Sequence, residues 1–225
     1  MPLITPGVHR NTQESHQPRR ASAMASVTAS ATSKTKKLRN LGVALVIVDL
    51  QYDFLPGGAL AVADSDAVLH GIRALLRAQN SWDSVIATQD YHPAGHVSFA
   101  STHACTKEFE SREVDHPLVP GEKINQVLWP EHCVQGTTGV KIHSEVLALM
   151  KHLRDNRLSD VVIIRKGSDQ GVDAYSGLSD NAYSRFSPLA RYLSSMRSVR
   201  GGFKQPIDIA VVVGLATDYC VLSTA

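Results

Sequence analysis

Four side chains able to do acid–base, electrostatic or nucleophilic work stand at the ends of apolar runs. Asp49 follows GVALVIV, Asp90 follows SVIATQ, Lys166 follows DVVIIR, and Cys220 lies a few residues beyond IDIAVVVG. Each has a bland reading of its own. A strand-end Asp often only caps a turn, a Lys before a Gly is ordinarily a solvated loop charge, and a lone Cys packs as a small hydrophobe. Taken together on one rim they make a candidate centre for nucleophilic acyl transfer. Thiolate is the nucleophile, and a helix N-terminus and a nearby ammonium lower a thiol's pKa, so a depressed value is expected at Cys220. Asp49 is placed to take the thiol proton and return it to a departing amine, with Lys166 balancing the charge. Backbone N–H groups at Ala216 and Cys220, where a strand turns into a helix, are placed to receive an oxyanion.

A second constellation has the chemistry of a metal site. Asp90-Tyr91-His92 sets a carboxylate and an imidazole two apart at a strand end, and His96 and the distant His132 are able to converge on them. Carboxylate with imidazole suits zinc, iron(II) or manganese better than calcium. The spacing alone leaves the plain alternative of loop histidines open. Cys133, beside His132, belongs to no CxxC pattern and reads as a packed thiol.

The elements that must hold these groups follow from periodicity. Residues 42–50, 84–90, 160–167 and 207–214 are nearly continuous apolar stretches, as expected of parallel strands covered on both faces. Residues 64–80 place Val68, Ile72, Leu75 and Leu76 on one helical face, and a shorter helix is expected over 142–155. Between the second and third strands, residues 91–139 read as one long polar loop with four prolines. Strands alternating with helices imply an α/β fold: a mostly parallel, doubly wound sheet with helices on both faces. In such sheets ligands bind outside the carboxyl ends of the strands, where these groups stand.

Bulk properties narrow the function classes. The 225 residues are 43% apolar, enough for one sizeable core, and no long apolar run predicts a membrane span. The net charge of +2 conceals an asymmetry: residues 1–40 hold seven basic residues against one acid, Glu14, leaving 16 basic and 20 acidic residues beyond them. A mildly acidic body argues against a nucleic-acid surface. The Ser/Thr/Ala-rich segment 1–40 shows neither period and reads as a disordered solvated tail, or as an organelle-targeting segment. Three cysteines give no disulfide framework and suit a reducing compartment, the cytoplasm before an organelle.

Seven strings carry a family likeness: DLQYDF (49–54), QDYHP (89–93), HVSFA (96–100), WPEHCVQGT (129–137), RKG (165–167), YSG (175–177) and VGLATDYCV (213–221). In this order, over residues 43–225, they resemble the nicotinamidase/pyrazinamidase branch of the isochorismatase-like hydrolases. The Asp, Lys and Cys strings belong to the whole superfamily, whereas D-x-H with W-P-x-H-C is particular to that branch. The resemblance implies an isochorismatase-like domain over 41–225 and a catalytic triad of Asp49, Lys166 and Cys220. It implies one divalent metal ion, zinc first and iron or manganese as alternatives, on Asp90, His92 and His132, with waters completing its sphere. His96 is a candidate further ligand, although it follows His92 by a shorter spacing than some relatives show. The implied substrate is nicotinamide, hydrolysed to nicotinate and ammonia through a cysteine thioester in NAD salvage, with pyrazinamide as a second substrate. Phe54 and Trp129 resemble the aromatics that sandwich the ring, Tyr175 one that closes the pocket, and Gln51 a support for the Asp49 loop. The Leu215–Ala216 bond resembles a cis peptide. Relatives continue past the cysteine through a helix and at least one strand, so with an end at Ala225 these are expected to be missing. That makes a truncated, inactive or partner-binding relative the rival reading, and leaves association into a homo-oligomer open.

Overall fold

The computed structural model describes residues 41–78, 81–195 and 207–225. The expectations for residues 1–40 fall outside them. Four strands, β1 (Gly42–Val48), β2 (Ser84–Asp90), β5 (Asp160–Lys166) and β6 (Ile207–Gly214), form one sheet in the order β5-β2-β1-β6. Every pairing in it is parallel. The four apolar runs thus form the four expected strands. The expected cover on both faces is seen for the central β1 and β2, whereas β5 and β6, at the ends of the sheet, leave Ile163 and Ile209 exposed. Fully burying a Leu or Ile such as Leu45 or Ile47 contributes about 1.5–3 kcal/mol.

Alternation along the strands sends side chains to two separate cores. Leu45, Ile47, Val85 and Ala87 pack with Leu69, Ile72 and Leu76 of helix α1 (Ser65–Arg77) and Val146, Met150 and Leu153 of α2 (Ser144–Asp155). Ala44, Val46, Val48, Ile86 and Ile164 pack on the other face with Leu189 of α3 (Pro188–Ser195) and with Cys220. Helices on both faces of a parallel sheet are the architecture expected. In α1 the buried row is Leu69, Ile72 and Leu76, with Val68 and Leu75 at its margins.

Residues 91–139 are not wholly loop. They contain an antiparallel hairpin of β3 (Ser111–Asp115) and β4 (Lys123–Val127) and a short 3-10 turn over Ala100–Thr102. SREVD exposes all but Val114 and KINQV buries only the polar Gln126, so neither shows the apolar alternation that announces a half-buried strand. No described helix is long and apolar enough to cross a membrane.

Candidate active site

The register of the sheet brings the chemistry together. Asp90 pairs with Lys166 at the carboxyl ends of β2 and β5, and Val48 pairs with Gly214 at the ends of β1 and β6. Asp49 and Cys220 leave the sheet just beyond these pairs. Asp49 turns the chain with a left-handed φ of 51°, and its amide and Oδ1 both bond the Thr88 hydroxyl, at 3.1 and 2.6 Å. Parallel strands admit no side chain between β1 and β6 at Gly214: a Cβ there would overlap the Val48 carbonyl.

Lys166 is the hub. Its buried ammonium lies 2.8 Å from Asp49 Oδ2 and 2.6 Å from Asp90 Oδ1, and donates to the Ala174 carbonyl at 3.0 Å and to Cys220 Sγ at 3.4 Å. Burial would lower its pKa, but the two carboxylates overcome that and raise it well above 10.5, so it stays charged. Asp49 is raised above the ordinary 3.8 by burial, against the pull of Lys166 and with the added push of Asp90. Asp90 goes the other way: burial would raise it, yet Lys166 and His92 hold it well below the usual carboxylate range.

Cys220 does not meet the expectation of a depressed pKa. Burial pushes its thiol well above 9.0; Lys166 pulls it down, but the Asp49 and Asp90 carboxylates push it further up. The helix opening is also weaker than expected. Thr217–Val221 is a wide π-helical turn followed by three helical residues, with Cys220 inside the turn and not at its first position. Cys220 is therefore a neutral thiol beside a carboxylate of raised basicity.

The metal-type residues gather on the far side of Asp90. His92 Nδ1 bonds the Gly167 carbonyl at 2.8 Å and His132 Nδ1 the Pro130 carbonyl at 2.8 Å. Both rings thereby turn Nε2 toward Asp90 Oδ2, at 3.7 and 3.9 Å. The buried His92 Nε2 has no hydrogen-bond partner among the described residues, and the three ligand atoms lie within 4.8 Å of one another. A carboxylate oxygen and two imidazole nitrogens, each oriented by a backbone carbonyl on its other nitrogen, fit a small divalent cation. Gly167 permits the His92 contact, since its φ of +60° and the overlap a Cβ would make with the His92 ring both exclude a side chain.

His96 stands apart from that set. Its ring stacks on His92 at 4.2 Å, but Nδ1 is 2.7 Å from the Ser98 hydroxyl and Nε2 is 3.3 Å from the Val172 carbonyl. Burial and the neighbouring His92 lower its pKa to about 4, so it is a neutral ring. It groups instead with His92 and the buried Asp173.

The aromatic residues pack against these groups and against one another. Phe54 is buried with its ring 5.5 Å from that of His132. Trp129 stands edge-on to Tyr219 at 4.9 Å and donates its indole N–H to the Tyr175 hydroxyl at 3.3 Å. Tyr219 and Thr88 take part without having been singled out in the sequence: an aromatic beside the cysteine and a threonine inside a strand carry no signal there. Gln51 supports both the Asp49 turn, whose carbonyl accepts the Gln51 backbone N–H at 2.8 Å, and the neighbouring strand end. Its amide accepts from the Asp90 N–H at 2.8 Å and donates to the Asp90 and Val140 carbonyls, each at 2.8 Å. Cys133 is a buried thiol packed in the α1–α2 core.

At Ala216, expected to receive an oxyanion, the chain turns with a left-handed φ of 57°, and the Ala216 carbonyl accepts from the Tyr219 and Val221 amides. The Leu215–Ala216 bond is trans, as are all described peptide bonds, so the expectation of a cis bond is corrected. The reversal is made by φ at Ala216.

No family model matches the chain. Individual relatives do. It is 38% identical over 182 residues to the nicotinamidase of Acinetobacter baylyi, covering 81% of this chain and 72% of that one. A solved nicotinamidase/pyrazinamidase of Acinetobacter baumanii superposes with a TM-score of 0.64 at 35% identity, covering 83% of this chain and 77% of that one. The pyrazinamidase of Pyrococcus horikoshii, solved in complex with zinc, superposes at 0.51 with 28% identity, over 81% and 75% of the two chains. With a matching parallel sheet and this identity over most of both chains, the chain belongs to the nicotinamidase family of amidohydrolases.

Proposed function

We propose that this protein hydrolyses nicotinamide to nicotinate and ammonia through a thioester on Cys220, and accepts pyrazinamide in the same pocket. The observation that carries the reading is the Lys166 ammonium held between Asp49 and Asp90 and 3.4 Å from Cys220 Sγ. Two carboxylates whose pKa values are pushed apart mark the division of labour. Asp49, of raised basicity, is the proton carrier, and Asp90, held ionised, is the ligand.

Asp49 takes the Cys220 proton as sulfur attacks the carboxamide carbon. The tetrahedral oxyanion is received by the Ala216 and Cys220 amides. Asp49 then returns the proton to the amide nitrogen, the C–N bond breaks, and ammonia leaves the acyl-cysteine. Water attacks the thioester with Asp49 taking its proton, the C–S bond breaks, and Asp49 reprotonates the thiol as nicotinate departs. Lys166 keeps its proton throughout and offsets the carboxylate charge. Phe54 and Trp129 face the pyridine ring, a use of flat apolar surface suited to an uncharged heteroaromatic, and Tyr175 closes the pocket. A divalent ion on Asp90, His92 and His132, zinc before iron or manganese, supplies a Lewis-acid anchor for the ring nitrogen when bound. Free Cys105, Cys133 and Cys220 suit a reducing compartment such as the cytoplasm.

The test is ammonia release from nicotinamide before chelation, after it, and after zinc is returned, alongside Cys220→Ala. Chelation is expected to lower turnover and zinc to restore it, while Cys220→Ala abolishes turnover and still binds the ring. Turnover in Cys220→Ala within about tenfold of the parent is incompatible with covalent catalysis.

A further inference from the structure

Asp53 lies four residues beyond Asp49, and none of the chemistry above uses it. Its Oδ2 accepts the Cys133 amide at 2.7 Å and its Oδ1 the Ala59 amide at 3.3 Å. Backbone bonds from the Asp53 amide to the Gly139 carbonyl, 3.1 Å, and from the Leu60 amide to the Asp53 carbonyl, 2.9 Å, hold the residue from both sides. The carboxylate fills a slot that exists because residue 139 is glycine, since a Cβ there would overlap it.

What Asp53 grips is the peptide unit that joins His132 to Cys133. Cys133 follows His132 directly and sits at a left-handed φ of 48°, a conformation unfavourable for a residue with a side chain. Its carbonyl accepts the His92 amide at 3.0 Å, and the His92 carbonyl accepts from Gln135 at 2.8 Å. A charge-assisted bond to the Cys133 N–H therefore offsets the local strain and fixes two ligand-bearing residues at once.

We propose that Asp53 is a positioning residue for the metal centre, holding the Cys133 peptide so that His132 and His92 keep Nε2 turned toward Asp90. This rests on the reading of Asp90, His92 and His132 as a metal site. Asp53 touches neither ion nor substrate; it acts through the backbone.

The experiment is zinc affinity of the metal-stripped full chain, by competition with a chromogenic chelator, for the parent, Asp53→Ala, Asp53→Asn and Gly139→Ala. Melting curves of the metal-free forms are recorded in parallel. Asp53→Ala and Gly139→Ala are expected to weaken zinc binding about 10–100-fold, the range typical for removing such a support. Asp53→Asn, which keeps an acceptor oxygen for the Cys133 amide, should lose less than Asp53→Ala. A merely structural role would lower the melting temperature and leave the zinc affinity of the folded protein unchanged. Zinc binding within about threefold of the parent in folded Asp53→Ala or Gly139→Ala overturns the proposal, being well outside the expected range. If Asp53→Ala fails to fold, Gly139→Ala, which displaces the carboxylate without changing it, is judged by the same criterion. A parent that binds zinc no better than His132→Ala removes the metal reading itself, and the Asp53 proposal with it.

Discussion

Asp90 serves two centres at once. One oxygen meets the Lys166 ammonium and the other faces His92 and His132, so the ion-pair cluster around Lys166 and the metal-type cluster share a carboxylate. The cost of burying that charge is met by a cation on one side and polar rings on the other. Asp49 meets Lys166 and the Thr88 hydroxyl, and burial with the neighbouring Asp90 carboxylate outweighs both and raises its basicity. The sign of the Cys220 shift gives a pH prediction. A raised thiol pKa leaves Cys220 protonated through neutral pH, and the thiolate fraction grows as pH climbs. Alkylation of Cys220 by iodoacetamide, followed by peptide mass spectrometry, should therefore keep accelerating beyond pH 9.0, the thiol's ordinary value. A plateau reached below pH 7 would mean a preformed thiolate and would remove Asp49's task as base. At the other centre, His132→Ala should lower bound metal and raise KM for nicotinamide more than it lowers kcat, because ring anchoring is shared by ground and transition states. Elemental analysis with steady-state kinetics reads both; full metal occupancy would take His132 out of the ligand set.

Among the elements, the alignment of strand ends does what no single residue does. β2 and β5 run in register from Ser84 opposite Asp160 to Asp90 opposite Lys166, which delivers the ion pair without any loop having to be rigid. On the other side, β6 approaches β1 closely at Gly214, and the Leu215 amide then donates to the Val48 carbonyl at 3.1 Å. A methyl group at Gly214 meets that same carbonyl. Gly214→Ala should thus force the strand ends apart between Asp49 and Cys220, destabilising the fold by more than about 1 kcal/mol. Its kcat should fall while metal content stays at the parent level, because Asp90 ends β2, a strand that β6 does not pair with. Equal kcat in the variant would show that the Cys220 turn is positioned independently of β6.

For the molecule as a whole, the order β5-β2-β1-β6 leaves β6 at one end of the sheet. Ile209 in that strand is 37% exposed, and Leu222 in the turn beyond Cys220 is 68% exposed. An end strand with unpaired backbone groups and apolar side chains is a template for pairing with another chain. Light scattering is expected to rise with protein concentration, and Ile209→Lys, which puts a charge on that edge, to reduce it while ammonia release per molecule is unchanged. Scattering that is the same for both proteins would show that β6 is not the contact.

The sequence by itself determined the four strands, the two longer helices and the choice of chemistry. Continuous apolar runs ending in Asp, Lys or Gly are local signals, and residue types limit what a site is able to do. It was silent on the β3–β4 hairpin, whose exposed strands have no apolar face, and on α3, too short for a period to show. Only the tertiary structure decided how the groups are coupled. That Asp90 faces both clusters, that Gln51 clamps Asp90, and that Thr88 and Asp53 bond residues 39 and 80 positions away are facts of contacts between distant stretches of chain. His96, a candidate ligand in the sequence despite its short spacing from His92, has its two nitrogens at Ser98 and Val172 once the chain is folded. The Cys220 thiol is the clearest case. A nearby lysine predicts a low pKa from the sequence, whereas burial and two carboxylates, which exist only once the sheet is assembled, drive it up.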